Sequence, residues 1–258
     1  MNYSLENAEQ FNWSSVSRNL NNERVSHLEK YIIGNKILDA GCGGGAYVEF
    51  LAQKGLEVVG IDKYDEFLQL ARQNGELGIY LQADITNLPF LDKSFDCTYC
   101  FDVFEHVDDI LAIKELSRVT SKRLIIAVPQ KDEIMSEFGL TFYPYQDTTH
   151  LRYYTEISLQ DLCQTIDYSK LEIVKEGIIS FPSLFKAMSS YRHSLPESKY
   201  LRPLYKTKKE NKFIDRLLFK LTDVLLNTLL DMNKLDHLFN EHRFFKEVNI
   251  GLLAIIDL

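Results

Sequence analysis

The sequence predicts an α/β fold built on a doubly wound, parallel sheet with helices on both faces. Two observations carry that prediction. Short apolar runs alternate with amphipathic, helix-length segments from residue 36 to residue 180. The first run closes in Gly41-Cys42-Gly43-Gly44-Gly45, the tight strand-to-helix turn found at the ligand edge of such sheets. A third observation bounds the prediction: residues 182–244 break the alternation and read as a largely helical insertion before the last strand.

The elements follow in chain order. Residues 1–34 read as a helical cap with polar spacers. KILDA is the first strand, and AYVEFLAQKG is a helix ending at Gly55. EVVGID is the second strand. KYDEFLQLARQNG follows as a helix, with Phe67, Leu68 and Ala71 on one side and Gly75 past its end. IYLQAD is the third strand, FDCTYCFD the fourth, and DDILAIKELSRV the helix between the fourth and fifth. RLIIAVP is the fifth, stopped by Pro129. Thr155 is placed to cap the helix of TEISLQDLCQTI. LEIVKEGIIS and EVNIGLLAIIDL are the last two strands. The main domain is thus 35–181 with 245–258, and 182–244 is a substrate cap or an oligomerisation surface.

Composition narrows the function. The 258 residues are 45% hydrophobic and carry a formal net charge of −8, so nucleic acid is not the expected partner. No apolar run reaches the roughly 20 residues of a membrane span. The polar N-terminal stretch does not read as a signal peptide, and cytoplasmic location is the default. The insertion has a basic middle, and 199–230 is the candidate for peripheral membrane contact. Its apolar helical face predicts packing on the main domain, with a homodimer as the alternative. Cys97 and Cys100 have C-x-x-C spacing, but a strand sends the two side chains to opposite faces, which favours core packing over redox or zinc chemistry.

The glycine turn admits two cofactor readings. Gly41, Gly43 and Ala46 satisfy G-x-G-x-x-A, the dinucleotide pattern, and support an NAD-dependent oxidoreductase. Asp62 ends the second strand, where a carboxylate accepts hydrogen bonds from ribose hydroxyls of NAD or S-adenosylmethionine. Asp39, before the turn, and Asp84, at the end of the third strand, separate the two. Asp84 suits an exocyclic adenine amine, with the Ile85 backbone at the ring edge.

With these residues in view, the sequence resembles the class I S-adenosylmethionine-dependent methyltransferases of the type 11 / type 23 small-molecule branch. The matching stretches are ILDAGCGGG, VVGIDKY, ADITNLPFLDKSFDCTYCFDVFEHVDD, RLIIAVP and HLRYYT, across about residues 36–157. The resemblance implies a Rossmann-like sheet of seven strands, mostly parallel with the last antiparallel. It implies S-adenosyl-L-methionine as cofactor, its amino-acid end over Gly41, Gly43 and Gly45, with Asp39, Lys63 and Phe101 also in the binding set. Ribose would sit on Asp62 and adenine beside Asp84 and Ile85. The family's Lys-Pro-Gly-Gly before the fifth strand is replaced here by VTSKR. Nothing in 182–244 carries over.

Methyl transfer to a hydroxyl or amine needs alignment, exclusion of water and removal of a proton. Two histidines are placed to remove the proton, His106 after the fourth strand and His150 after the fifth. Residues 129–154 also carry Phe138, Phe142, Tyr143, Tyr145, Tyr153 and Tyr154, which could roof an acceptor or pack the insertion. His27, His193, His237 and His242 show no partner pattern. Asp102, Glu105 and His106 have D-x-x-E-H spacing. Similar patterns with a distant second histidine bind divalent metals in ubiquinone-pathway and small-RNA methyltransferases; E-H-V is also common in metal-free members. We read His106 as pocket-lining, with no metal. The expected function is a methyltransferase for a small molecule or a glycan or lipid precursor. A methyltransferase fold kept as a non-catalytic binding module is the further alternative.

Overall fold

The computed structural model describes residues 8, 14–131, 149–177 and 249–258. The insertion at 182–244, the 199–230 surface, His193, His237, His242 and loop residues Phe138, Phe142, Tyr143 and Tyr145 lie outside the described residues. The strands are β1 (Lys36–Ala40), β2 (Glu57–Asp62), β3 (Ile79–Gln82), β4 (Phe95–Phe101), β5 (Thr120–Pro129), β6 (Lys170–Glu176) and β7 (Gly251–Asp257). They form one sheet in the order β3-β2-β1-β4-β5-β7-β6. β1 to β5 pair in parallel, and β7 runs antiparallel between β5 and β6. The strand order reverses at β1 and β4, and such a switch opens a crevice at the carboxyl ends.

The described helices are α1 (Ser14–Ser17), α2 (Asn22–Tyr31), α3 (Ala46–Ala52), α4 (Asp65–Asn74), α5 (Asp109–Val119) and α6 (Glu156–Cys163). Their starts follow local chemistry. The Asn21 side chain accepts from Glu23 N and Arg24 N, and Asp108 accepts from Leu111 N. Thr155 and Ser158 form a reciprocal capping box at α6. Gly45 precedes α3 at φ 75°, a left-handed conformation that a side chain would disfavour.

The sheet separates two apolar layers, as alternating side chains require. Leu38, Cys100, Leu124 and Ile126 pack with Ile113 and Leu116 of α5 and Leu159 of α6. Ile37, Cys97, Tyr99 and Ile125 pack with Leu28 of α2, Val48 of α3 and Leu68 of α4. Cys97 and Cys100 therefore belong to opposite layers. Burial pushes the Cys97 thiol up to about 12, so it is an inert core residue.

Several boundaries differ from the sequence expectation by a few residues, among them the following three. β5 begins at Thr120, before the RLIIAVP run, because the Thr120 hydroxyl bonds Leu116 O (2.6 Å) and pairs with Thr98 Oγ1 (2.6 Å). α3 stops at Ala52, short of Gly55. β3 ends at Gln82, leaving Asp84 in an isolated bridge with Asn87.

Candidate active site

A cavity of about 400 Å³ opens at the carboxyl ends of β1 to β4. Of the residues singled out from sequence, Gly41, Asp62, Lys63, Asp84, Ile85 and His106 line it. Asp39, Gly43, Gly45, Phe101 and His150 are not among its lining residues.

Gly41 shapes the floor. Its φ is 92°, and an added Cβ would overlap the Val103 side chain, which also lines the cavity. Asp62 is 4% exposed and ends β2. Its Oδ2 accepts from Gly43 N (3.0 Å) and its Oδ1 from Tyr64 N (2.9 Å). The two bonds fix the carboxylate while each oxygen keeps a further lone pair. Burial raises the Asp62 carboxyl above its ordinary range, and the backbone N–H groups oppose that rise.

Asp84 is engaged differently. Its Oδ1 accepts from Thr86 N (3.0 Å) and Thr86 Oγ1 (2.7 Å), and its Oδ2 pairs with Lys63 Nζ (3.0 Å). The Thr86 backbone bond, with Lys63 helping, holds Asp84 below the usual carboxylate range. An adenine amine would share this carboxylate with Lys63.

Asp39 is not among the residues that line the cavity. It is 3% exposed and accepts one bond from Tyr99 Oη (2.7 Å). Burial pushes its carboxyl up to about 8; the Tyr99 bond opposes this and negative Asp62 reinforces it. Phe101 is flanked by Tyr99 (ring centroids 5.1 Å apart) and Tyr47 (6.0 Å), with the Arg24 guanidinium 4.6 Å from its centroid. Arg24 in turn pairs with Asp102 and with Glu176, both at 3.1 Å. Neither Arg24 nor Glu176 was singled out in the sequence, because 152 positions separate them, and no local motif marks such a pair. A separation of 149 positions hid the partner of His27, whose Nδ1 lies 2.7 Å from Glu176 Oε1.

The second half of the site assembles across a shorter gap, 43 positions between His106 and Thr149. Phe104–His106 form a 3-10 turn, and Leu151 N donates to Glu105 O (2.7 Å), stapling the 149–154 segment to it. Arg152 reinforces the staple through Val107 O (2.7 Å) and Asp109 (3.0 Å). Glu105 is 1% exposed, and its Oε1 lies 4.0 Å from His106 Nε2 and 3.9 Å from His150 Nε2. One ligand atom from each of these residues lies within 4.8 Å of the others. His106 Nδ1 lies 3.3 Å from the Thr149 carbonyl and 3.1 Å from Thr149 Oγ1; the carbonyl can only accept and the hydroxyl can donate or accept, so Nδ1 is protonated when it bonds the one and can be unprotonated when it bonds the other. Thr149 also lines the cavity and was not singled out in the sequence; only its place beside His150 could have flagged it. Asp102 is drawn to Arg24. Tyr154 is a packing residue: it is 2% exposed and its hydroxyl bonds Asp109 Oδ2 (2.9 Å). Tyr153 stacks edgewise on His150, with centroids 5.2 Å apart.

Comparison with known proteins bears on the fold that carries this cavity. Residues 38–127 match a family model described as a methyltransferase domain. Malonyl-[acyl-carrier protein] O-methyltransferase of Hamiltonella defensa is 30% identical over 159 residues, which cover 60% of this chain and 61% of the relative. Ubiquinone biosynthesis O-methyltransferase of Haemophilus ducreyi is 37% identical over 91 residues, or 32% of this chain and 39% of the relative. The chain therefore spans from about two-fifths to three-fifths of the length of these two relatives. An S-adenosylmethionine-dependent methyltransferase structure from Archaeoglobus fulgidus superposes with TM-score 0.60 at 15% identity, covering all of both chains. Phosphoethanolamine N-methyltransferase 2 of Haemonchus contortus, in complex with S-adenosyl-L-methionine, gives 0.53 at 17% identity, covering 91% of this chain and 52% of that one. At these identities the superpositions show a shared fold.

Proposed function

We propose that this chain, which carries a methyltransferase domain on the class I methyltransferase fold, moves a methyl group from S-adenosyl-L-methionine to a hydroxyl or amine of a small molecule or a glycan or lipid precursor. The two named O-methyltransferase relatives favour an oxygen acceptor. One observation carries the reading: a single cavity of about 400 Å³ brings Gly41, the fixed carboxylate of Asp62, Asp84 and the imidazole of His106 to one wall.

The residues present fit the cofactor. A bare backbone at Gly41 leaves room at the floor, where a Cβ would strike Val103. Asp62 keeps lone pairs for two hydroxyls, and Asp84 with Lys63 offers an acceptor and a cation at the far end. When bound, S-adenosylmethionine supplies a methyl group already activated on a sulfonium, so the protein contributes alignment, dryness and proton removal. Val103 and Val107 exclude water from the same wall. His106, its Nδ1 engaged by Thr149, would take the acceptor's proton on Nε2 in the tautomer that donates to the Thr149 carbonyl. Glu105 and His150 lie beside that imidazole, Glu105 at 4.0 Å and His150 with ring centroids 4.7 Å apart. The methyltransferase-domain match does not favour the NAD-dependent oxidoreductase reading of Gly41, Gly43 and Ala46, nor the non-catalytic module.

Calorimetry with S-adenosylmethionine and S-adenosylhomocysteine tests the reading. We expect dissociation constants in the micromolar range. Absence of binding by both would refute it. Asp62→Ala should weaken binding by roughly tenfold or more, as loss of a charged acceptor does.

A second reading rests on Glu105, His106 and His150, whose carboxylate and imidazoles form a donor set suited to a divalent cation. The gaps of 3.9 and 4.0 Å to Glu105 exceed the separation of neighbouring ligands around a small divalent ion. That separation is about 3.4 Å for tetrahedral zinc, so the side chains would have to close in. Titration of the metal-free protein with Zn²⁺ or Mg²⁺ decides it; equal binding by wild type and His150→Ala would remove this reading.

A further inference from the structure

Two residues of the cavity wall, His106 and Val107, belong to a stretch with little helical support of its own. The 3-10 turn Phe104–His106 is three residues long, and Val107 leaves it in an extended conformation. The ladder of α5 begins only at Asp108 O, which accepts from Ala112 N (3.0 Å). The Val107 carbonyl thus falls between two helical pieces, and a part-buried carbonyl there calls for a donor from elsewhere. Arg152 is that donor. Its Nη1 donates to Val107 O (2.7 Å) and to Phe104 O (3.4 Å), and stands 3.0 Å from Asp109 Oδ1. These three oxygens bracket His106 on both sides in the sequence.

The same side chain belongs to the segment that completes the wall. Residues 149–154 are anchored at one end by backbone: Tyr154 N donates to Pro129 O (3.1 Å) and Lys131 N to Tyr154 O (2.6 Å) at the exit of β5. At the other end, Thr149 lines the cavity and meets His106 Nδ1. Between them, Leu151 N ties to Glu105 O by one backbone bond, and Arg152 adds a charged donor. We propose that Arg152 is a positioning residue for methyl transfer: its guanidinium holds the Phe104–Val107 stretch against the 149–154 segment, so that His106 faces the cavity with Thr149 beside it. This rests on the reading of His106 as the base. Arg152 acts through that turn and is not itself a lining residue of the cavity.

Arg118 is a matched control within the same helix pair of contacts. Its guanidinium donates to Phe90 O (2.8 Å) and Leu88 O (3.2 Å) and pairs with Glu115 and Asp92. Each arginine therefore joins carbonyls of a neighbouring stretch to a carboxylate of α5. None of the Arg118 partners lines the cavity, whereas Val107 does. Loss of either arginine should lower stability. Only loss of Arg152 should disturb His106.

Proton–nitrogen spectra of protein labelled in its histidine ring nitrogens read the His106 imidazole directly, and His106→Gln assigns its cross-peaks. Arg152→Met keeps an apolar stem and removes the donor. We expect the His106 cross-peaks to leave their wild-type positions in this variant, while calorimetric affinity for S-adenosylhomocysteine stays within about twofold. Arg118→Met should melt lower than wild type yet leave those cross-peaks in place. Asp109→Asn removes the charge beside Nη1 and should shift them in the same direction by less; it decides the matter if Arg152→Met does not fold. Unmoved His106 cross-peaks in the deciding variant, or equal movement in Arg118→Met, would overturn the proposal and leave the cofactor reading standing. No binding of S-adenosylhomocysteine or S-adenosylmethionine by wild type would overturn the cofactor reading, and with it the transfer that Arg152 serves.

Discussion

The two halves of the sheet's carboxyl edge are built by different means. Around β1 to β3 the site is made of backbone: Gly41 with its left-handed φ, and Asp62 held by the N–H groups of Gly43 and Tyr64, 19 and 2 residues away. Around β4 and β5 it is made of side chains recruited from afar. His106 meets Thr149 across 43 residues, and Glu105 meets His150 through a staple rather than a turn. The first half can be written as a short motif. The second exists only when the fold is complete, so it is the half open to change without loss of the sheet.

Three perturbations sharpen that contrast, in order of expected effect. Gly41→Ala should damage the whole molecule. The left-handed φ and the overlap with Val103 should cost about 2–4 kcal/mol and abolish ligand binding, read as lowered denaturant midpoint and lost calorimetric heat. His106→Ala should leave donor affinity within about twofold and slow methyl transfer by roughly 10²–10⁴, the usual worth of a general base. Equal losses in affinity and rate would mean that the β4 half is scaffold after all.

The third perturbation compares two aspartates by their effect on stability. Asp39 has a folded value raised to about 8, so its contribution is fully present below about pH 4 and is lost as pH rises from there through 8. Asp39→Asn should therefore gain stability relative to wild type as pH rises, by up to about 1.4 kcal/mol per unit. Asp96 behaves oppositely. Lys122 Nζ at 2.8 Å, with the N–H groups of Asn35 and Lys36, holds its carboxyl well below the usual range. Its contribution is present above about pH 4 and lost on further acidification, and Asp96→Asn should cost under about 1 kcal/mol at neutral pH. Thermal melts of both variants between pH 3 and 9 would show the two slopes; parallel curves would contradict the assignment.

Legibility in the sequence divides along the same line. The alternation of strands, the opposite faces of Cys97 and Cys100, and the Thr155 cap all depend on periods of two or four residues, and each stands in the structure as read. Asp62 and Gly41 were readable because their partners are neighbours or backbone. Asp39 was read as a cofactor contact from its place before the turn; its Oδ2 accepts from the hydroxyl of Tyr99, 60 residues on, a partner that no local spacing marks. Phe101 was placed by resemblance, but Arg24 stacks on it from a helix 77 positions earlier. Side-chain pairs at such separations have no periodic trace, and topology alone brings them together.

The position of β7 has a consequence for how the chain is made. Among the described strands, β6 pairs only with β7, and β7 pairs with both β5 and β6. While residues 251–257 are still unsynthesised, β6 has no berth, and Glu176 cannot yet receive Arg24 and His27 from α2. Helix α2 must therefore wait for β7 before it locks. A chain stopped at 248 should leave the α2 amides open to hydrogen exchange while β1 and β4 are already protected.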